Sequence, residues 1–251
     1  MWLYPKIVAH RGGGSLAPEN TMAALRCGLA HGFHAVEFDV MLSRDGVAVV
    51  LHDATLGRTV RAAGQVSACT ARQLSSFDAG TYFGAQYAQE RVPLFAQFLD
   101  FCTSSQIWMN IEIKPAPGFE RATGRVVAEA ARAHFAADIE DVERAHLLPL
   151  LSSFSTAALS AAFDAAPELA RGWLVDELKP DWQARARALG VVAMHVNHQK
   201  LSRMQADTVK RAGFGLFCYT VNDPQRAREI LAWGVDGFCT DRIDLIGASF
   251  V

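Results

Sequence analysis

Two short stretches of this 251-residue chain set acids where a strand would present them side by side. In AVEFDV (35–40), Glu37 and Asp39 are two residues apart. On a strand they leave the same face, with Cα atoms roughly 6.5 Å apart. Two carboxylates on one inward face repel unless a cation, a metal ion or a shared proton neutralises them. In MNIEIK (109–114), Glu112 and Lys114 repeat the arrangement, with Ile111 and Ile113 on the opposite face. Three acids brought together form an all-oxygen set that suits one divalent cation, Mg²⁺, Ca²⁺ or Mn²⁺, and not a thiolate-seeking ion. KIVAH (6–10) ends on His10 and runs into Arg11 and three glycines, and VAVVLH (47–52) ends on His52. Arg11 and Lys114 would grip a phosphate from two sides and spread its charge. Two histidines on different strands offer a base for the nucleophile and an acid for the leaving oxygen. The glycines after Arg11 are expected to let a ligand approach the backbone closely. Together this is the equipment of phosphodiester cleavage.

Each piece also has a plain structural reading. Glu112 and Lys114 could be an ion pair, Glu37 and Asp39 could be held by arginines, His10 could be a core residue, and His52-Asp53 could cap a turn. Only their convergence at one place favours chemistry, so the elements that carry them decide the matter. Short β-branched or aliphatic runs alternate with Ala-, Leu- and Arg-rich stretches, which predicts a parallel sheet covered by helices. The remaining candidate strands are 147–154, 170–175, 191–196, 215–221 and 237–240. In PENTMAALRCGLAHG, Met22, Leu25 and Leu29 share one helical face, and Gly32 is a stop. In PQRAREILAWG, Pro224 opens a helix and Gly234 lies just past its end.

Nine strands are one too many for a closed barrel. Only MLSRDG separates AVEFDV from VAVVLH, too short for a parallel crossover, and Asp45-Gly46 signals a hairpin. The third run should therefore return antiparallel, with residue 43 opposite 48 and Asp39 opposite His52. Eight parallel strands remain, which predicts an α/β fold, a (β/α)₈ TIM barrel, over residues 1–251 as one domain. Active sites of that fold gather at the strand C-termini, where all these residues emerge. Residues 55–92 show no βα unit and read as a small insertion after the second barrel strand, lying over that mouth.

Composition narrows the partners. A net charge of −2, with 51% hydrophobic and 20% charged residues, argues against nucleic acid or an anionic membrane surface. Five scattered cysteines with no C-x-x-C pair suit a reducing compartment. No signal segment or membrane span is visible, so the expected location is cytoplasmic, without stable membrane association.

HRG at 10–12, PENT at 18–21, EFD at 37–39, RDG at 44–46, HD at 52–53, L-x-R-T at 56–59 and EIK at 112–114 follow in order. SSF at 152–154, YTVN at 219–222 and GVDGFCTD at 234–241 are weaker matches. In this the chain resembles the glycerophosphodiester phosphodiesterase family across nearly its whole length. The resemblance implies a TIM barrel with a small insertion, a divalent metal, and hydrolysis of deacylated phospholipid diesters to sn-glycerol 3-phosphate and an alcohol. It implies His10 and His52 as the acid/base pair, and Glu37, Asp39 and Glu112 as metal ligands. Arg11 and Lys114 become phosphate contacts, while Phe154 and Tyr219 line the substrate pocket. Tyr219 stands where many members have Trp, adding a hydroxyl and losing ring area. The alternatives are a metal phosphodiesterase for lysophospholipids, favoured by Phe77, Tyr82, Phe83 and Tyr87, a Schiff-base lyase using Lys114, and a non-catalytic binding protein.

Overall fold

The computed structural model describes residues 2–251. Eight parallel strands close into a barrel: β1 (Ile7–His10), β2 (Ala35–Leu42), β4 (Trp108–Ile113), β5 (Leu150–Ser153), β6 (Ala170–Val175), β7 (Ala193–Asn197), β8 (Gly215–Tyr219) and β9 (Gly237–Thr240). β1 pairs with β2 on one side and β9 on the other, which closes the ring. β3 (Ala48–Val50) is the extra strand, antiparallel to β2 and outside the closed ring.

The alternation in the sequence builds both faces of the ring. Val36, Phe38 and Val40 of β2 and Met109, Ile111 and Ile113 of β4 point outward, under the helices Phe95–Ser104 and Glu120–His134. Each such side chain contributes about 1.5–3 kcal/mol on burial. Inside, Val8, Ala35, Trp108, Leu150 and Phe217 fill the lower barrel. Trp2 stacks on Phe217 at 5.9 Å and Tyr4 on Trp108 at 4.8 Å, plugging the N-terminal end. The N-terminal end is thus an apolar plug, and the polar inward residues of the strands lie above it. The helix Met22–Ala30 forms as predicted and starts on a Thr21 cap, and Pro224 opens Pro224–Ala232, also as predicted.

The hairpin register differs from expectation by one residue. Leu42 faces Ala48 and Val40 faces Val50, so the Asp39 carbonyl accepts from Leu51 and not from His52. The cause is the turn. Ser43 pairs with Val47 across Arg44, Asp45 and Gly46, and Gly46 takes φ +75°. A three-residue loop ending in a left-handed glycine shortens the hairpin by one position. His52 therefore sits just beyond the ladder, where its side chain swings over the mouth.

Residues 55–92 fold around Leu56, Val60, Val66, Leu74 and Val92, packed on Met41, Val49 and Leu51 of the hairpin. Phe77 is part of this cluster, while Tyr82, Phe83 and Tyr87 form an edge-to-face series.

The three glycines after Arg11 are required by packing, a role the sequence expectation did not include. A Cβ on Gly12 would meet Ala24 at 2.9 Å, and one on Gly14 would meet the Asp241 carbonyl at 2.2 Å. Gly14 also has φ +53°. Gly14→Ala is expected to destabilise by about 1–3 kcal/mol or more. Gly32→Ala, at φ +80° but with nothing within 4 Å, is the control for backbone strain alone. Denaturant midpoints compare them, and an equal loss in both would remove the packing explanation.

Candidate active site

Register brings the acids together. Asp39 on β2 is the partner of Glu112 on β4, and Glu37 is the partner of His10 on β1. Glu37, Asp39 and Glu112 each offer an oxygen within 4.8 Å of the others, and all three are buried. Burial and the charge of Asp39 push Glu37 up to about 7 and Glu112 up to about 8. Asp39 shares that burial, yet Lys114 and Arg11 outweigh it and hold its pKa at about 2. Its oxygens lie 3.4 Å from Lys114 Nζ and 3.5 Å from Arg11 Nε. Lys114 Nζ is also 3.3 Å from Glu112. Burial works against the charge of Lys114, but Asp39 and Glu112 overcome it and raise its pKa. Two cations against three carboxylates leave one negative charge uncompensated. A hard divalent cation fits that donor set, and a phosphodiester anion would then complete neutrality.

Each histidine is held at Nδ1 by a carboxylate. His10 Nδ1 lies 2.6 Å from Asp241 Oδ1, and Asn222 Nδ2 donates to the other Asp241 oxygen at 2.9 Å. His52 Nδ1 lies 2.6 Å from Asp53 Oδ1, and Arg58 Nε donates to Asp53 at 2.5 Å. The opposite nitrogens face inward. His10 Nε2 is 3.6 Å from Glu37, whereas His52 Nε2 is 2.6 Å from Lys114 Nζ. The two rings therefore differ electrically. Burial opposes an imidazolium at His10, but Asp241 and Glu37 prevail and its pKa is raised. At His52, burial assisted by Arg11 and Lys114 prevails over Asp39, and its pKa is lowered.

The PENT loop completes the rim. Asn20 donates to Asp39 at 2.8 Å, holding the innermost acid from the side. Glu19 accepts from Arg11 at 2.7 Å and from both terminal nitrogens of Arg58 at 2.7 and 2.8 Å. Its backbone N–H donates to Tyr82 of the insertion at 3.0 Å. Arg11 (φ +50°) and Asn20 (φ +58°) both occupy the left-handed region. For arginine that conformation is uncommon, and here it turns the Arg11 N–H onto Glu37 at 3.2 Å.

His10, Arg11, Glu37, His52, Glu112, Lys114, Phe154 and Tyr219 all line one cavity of about 240 Å³ at the strand C-termini, with Asp39 bonded behind it. Phe154 is 47% exposed and meets Tyr219 edge-on at 5.7 Å. The Tyr219 hydroxyl donates to the Val175 carbonyl at 3.0 Å, so it braces the wall and leaves the ring for the cavity.

The family model for the glycerophosphoryl diester phosphodiesterase family matches residues 10–245. The chain belongs to that family. A glycerophosphodiester phosphodiesterase of Caldanaerobacter subterraneus subsp. tengcongensis is 30% identical over 240 residues, covering 94% of this chain and 93% of that protein. A phosphodiesterase of Oleispira antarctica, solved in complex with the product sn-glycerol-3-phosphate, superposes with a TM-score of 0.87. It is 33% identical and covers 94% of this chain and 93% of its own. A glycerophosphodiester phosphodiesterase of Thermotoga maritima, at 24% identity and TM-score 0.73, shares the fold. Among the described residues no helix is long and apolar enough to cross a membrane.

The partners that orient this phosphodiesterase-family site went unassigned in the sequence. Asp241 is 231 residues from His10, and Glu19 is 39 from Arg58. Their signal was present, since Asp53, Asn20, Glu19, Arg58 and Asp241 all lie inside the family motifs. Spacing alone gave them no role, because each role is a long-range contact or a turn geometry.

Proposed function

We propose that the protein hydrolyses glycerophosphodiesters to sn-glycerol 3-phosphate and an alcohol, with one divalent cation and two histidines. The observation that carries this reading is the convergence of three carboxylates, two cations and two oppositely tuned imidazoles on one cavity at the barrel mouth. Held by Glu37, Asp39 and Glu112, the cation would supply Lewis-acid stabilisation of charge on the phosphate oxygens. Mg²⁺, Ca²⁺ and Mn²⁺ are the candidates.

Arg11 and Lys114 bind the phosphate between them and hold it through the charge build-up. His52 Nε2 already accepts a hydrogen bond from Lys114, so it carries a lone pair and takes the proton of the attacking hydroxyl, water's or the substrate's own. His10, an imidazolium favoured by Asp241 and Glu37, returns a proton to the departing alcohol oxygen. Phe154 and Tyr219 give the organic part of the substrate an apolar wall. A pH–rate profile with two limbs follows. Activity falls on the acid side as His52 gains a proton and on the alkaline side as His10 loses one.

Asp241→Asn tests the orienting contact. It keeps the shape but removes the charge that favours the His10 imidazolium. We expect kcat about tenfold lower or more, with the alkaline limb moved to lower pH. An unmoved limb would detach Asp241 from the proton transfer.

The function as a whole is tested by an activity panel. Glycerophosphocholine, glycerophosphoethanolamine, glycerophosphoinositol and a lysophospholipid are each assayed with Mg²⁺, Ca²⁺, Mn²⁺ or EDTA. Release of sn-glycerol 3-phosphate with any of the first three supports the reading. Activity confined to the lysophospholipid would favour the second reading, for which Tyr82 and Phe83, 39% and 38% exposed, offer apolar surface. A Lys114 Schiff base is disfavoured because Asp39 and Glu112 keep that amine protonated. The five cysteines, all free, accord with the cytoplasmic location we propose.

A further inference from the structure

Level with Glu37 and just beneath it, the barrel axis carries polar groups that the chemistry above does not use. Asn110 on β4, Ser152 on β5 and His195 on β7 are 2%, 0% and 1% exposed. Asn110 Oδ1, Ser152 Oγ and both ring nitrogens of His195 have no hydrogen-bonding partner in the protein. All three residues line the cavity that also holds His10 and Glu37. Buried polar atoms without partners carry a desolvation penalty, and three together need a common explanation on the cavity side.

Their placement is specific. Inward side chains of a TIM barrel stack in layers of four drawn from alternate strands. The register here puts Glu37, Ser152, His195 and Cys239 in one layer and Asn110 in the layer beneath. β2 and β7 lie on opposite sides of the ring, so Glu37 and His195 face each other across the axis.

His195 is also held edge-on. A Cβ on Gly172 would fall 2.5 Å from Nε2, 2.8 Å from Cδ2 and 3.0 Å from Cε1, distances that lie over the ring face rather than along the nitrogen lone pair. Phe217 packs against the ring at 4.8 Å. Glycine at 172 thus makes room for the ring face, and the in-plane edge is left for the cavity. Burial pushes the His195 pKa down to about 3, so the neutral ring keeps one donor and one acceptor.

We propose that Asn110, Ser152 and His195 form a hydrated floor beside and just below Glu37, and that its ordered water bridges to Glu37 and fixes that carboxylate's orientation. A water donates to Glu37 and to the acceptor nitrogen of His195, and accepts from the Ser152 hydroxyl. That gives it the two to four partners a buried water requires. The three are positioning residues. The inference rests on the cation reading of Glu37 given above, since an oriented carboxylate matters most as a ligand.

Two measurements test it. Calorimetric titration with Mn²⁺ compares wild type with His195→Phe, which keeps a ring and removes both nitrogens, and with Ser152→Ala in case the first variant does not fold. We expect Mn²⁺ affinity to fall about 10–100-fold in His195→Phe, with most of the loss recovered in His195→Gln. A high-resolution crystal structure of the wild type should show water within hydrogen-bonding distance of His195 and Ser152, and of Glu37. Unchanged affinity in folded variants overturns the proposal, as does a dry floor or one filled by a product hydroxyl. If the wild type itself binds no Mn²⁺, the cation reading fails instead. The crystal then decides alone: bridging water sustains the floor, and its absence overturns it.

Discussion

His52→Ala should lower kcat by roughly 10²–10⁴ on glycerophosphodiesters, and His10→Ala by a similar factor. The fold should survive both changes. Each ring is at the mouth rather than in the apolar plug, with side-chain exposures of 25% and 16%. The two variants separate on the leaving group. A phosphodiester carrying p-nitrophenolate departs without needing a proton. On that substrate His10→Ala should recover most of its loss, while His52→Ala stays impaired, because the nucleophile's proton must still be removed. The difference follows from the site, where Lys114 donates to His52 Nε2 and two carboxylates flank His10. Equal losses on the nitrophenyl ester would reverse or dissolve the acid/base assignment. Near-wild-type turnover in both variants would remove the two-histidine mechanism.

What the sequence made legible is what depends on local period. Alternation in AVEFDV and MNIEIK set the acids on inward faces, and the structure places Glu37, Asp39 and Glu112 there. The eight-strand count followed once MLSRDG was recognised as too short to cross over. Turn geometry was less legible. A loop of three residues instead of four moves every partner by one, and only the left-handed Gly46 distinguishes the two. Three consecutive glycines gave no indication of whether a ligand or another backbone comes close. The Asp241 carbonyl against Gly14 is a contact between the two ends of the chain. The same holds for the His10–Asp241 pair, whose meaning lies in the closure of the barrel, whereas the Glu19 bridge to Arg11 and Arg58 depends on how the loops after β1 and β3 fold over the mouth. The insertion was legible as an interruption and not as a fold, because its core borrows Met41, Val49 and Leu51 from the hairpin.

Stripping divalent cations with EDTA should cost a comparable factor, roughly 10²–10⁴ in rate, equivalent to several kcal/mol of lost charge stabilisation. Re-addition of Mg²⁺, Ca²⁺ or Mn²⁺ should restore it. Asp39→Asn should reproduce the loss without a chelator, since it removes the buried charge that faces Lys114 and Arg11. Stability offers a second readout whose sign can be worked out. Glu37 and Glu112 have folded pKa values raised from 4.5 to about 7 and about 8. The folded state therefore binds more protons than the unfolded chain across that interval. Cation-free protein should lose stability as pH rises from about 4.5 to about 8. A cation takes the place of those protons and binds only the folded cluster, so its stabilisation should grow over the same interval. Thermal unfolding with and without Mg²⁺ or Mn²⁺ at pH 5 and pH 8 measures this, and the gain in Tm should be larger at pH 8. In Asp39→Asn the gain should shrink at both pH values. A gain that is absent, or larger at pH 5, would mean that the three carboxylates are neutralised by Arg11, Lys114 and a retained proton, and that the site works without a bound ion.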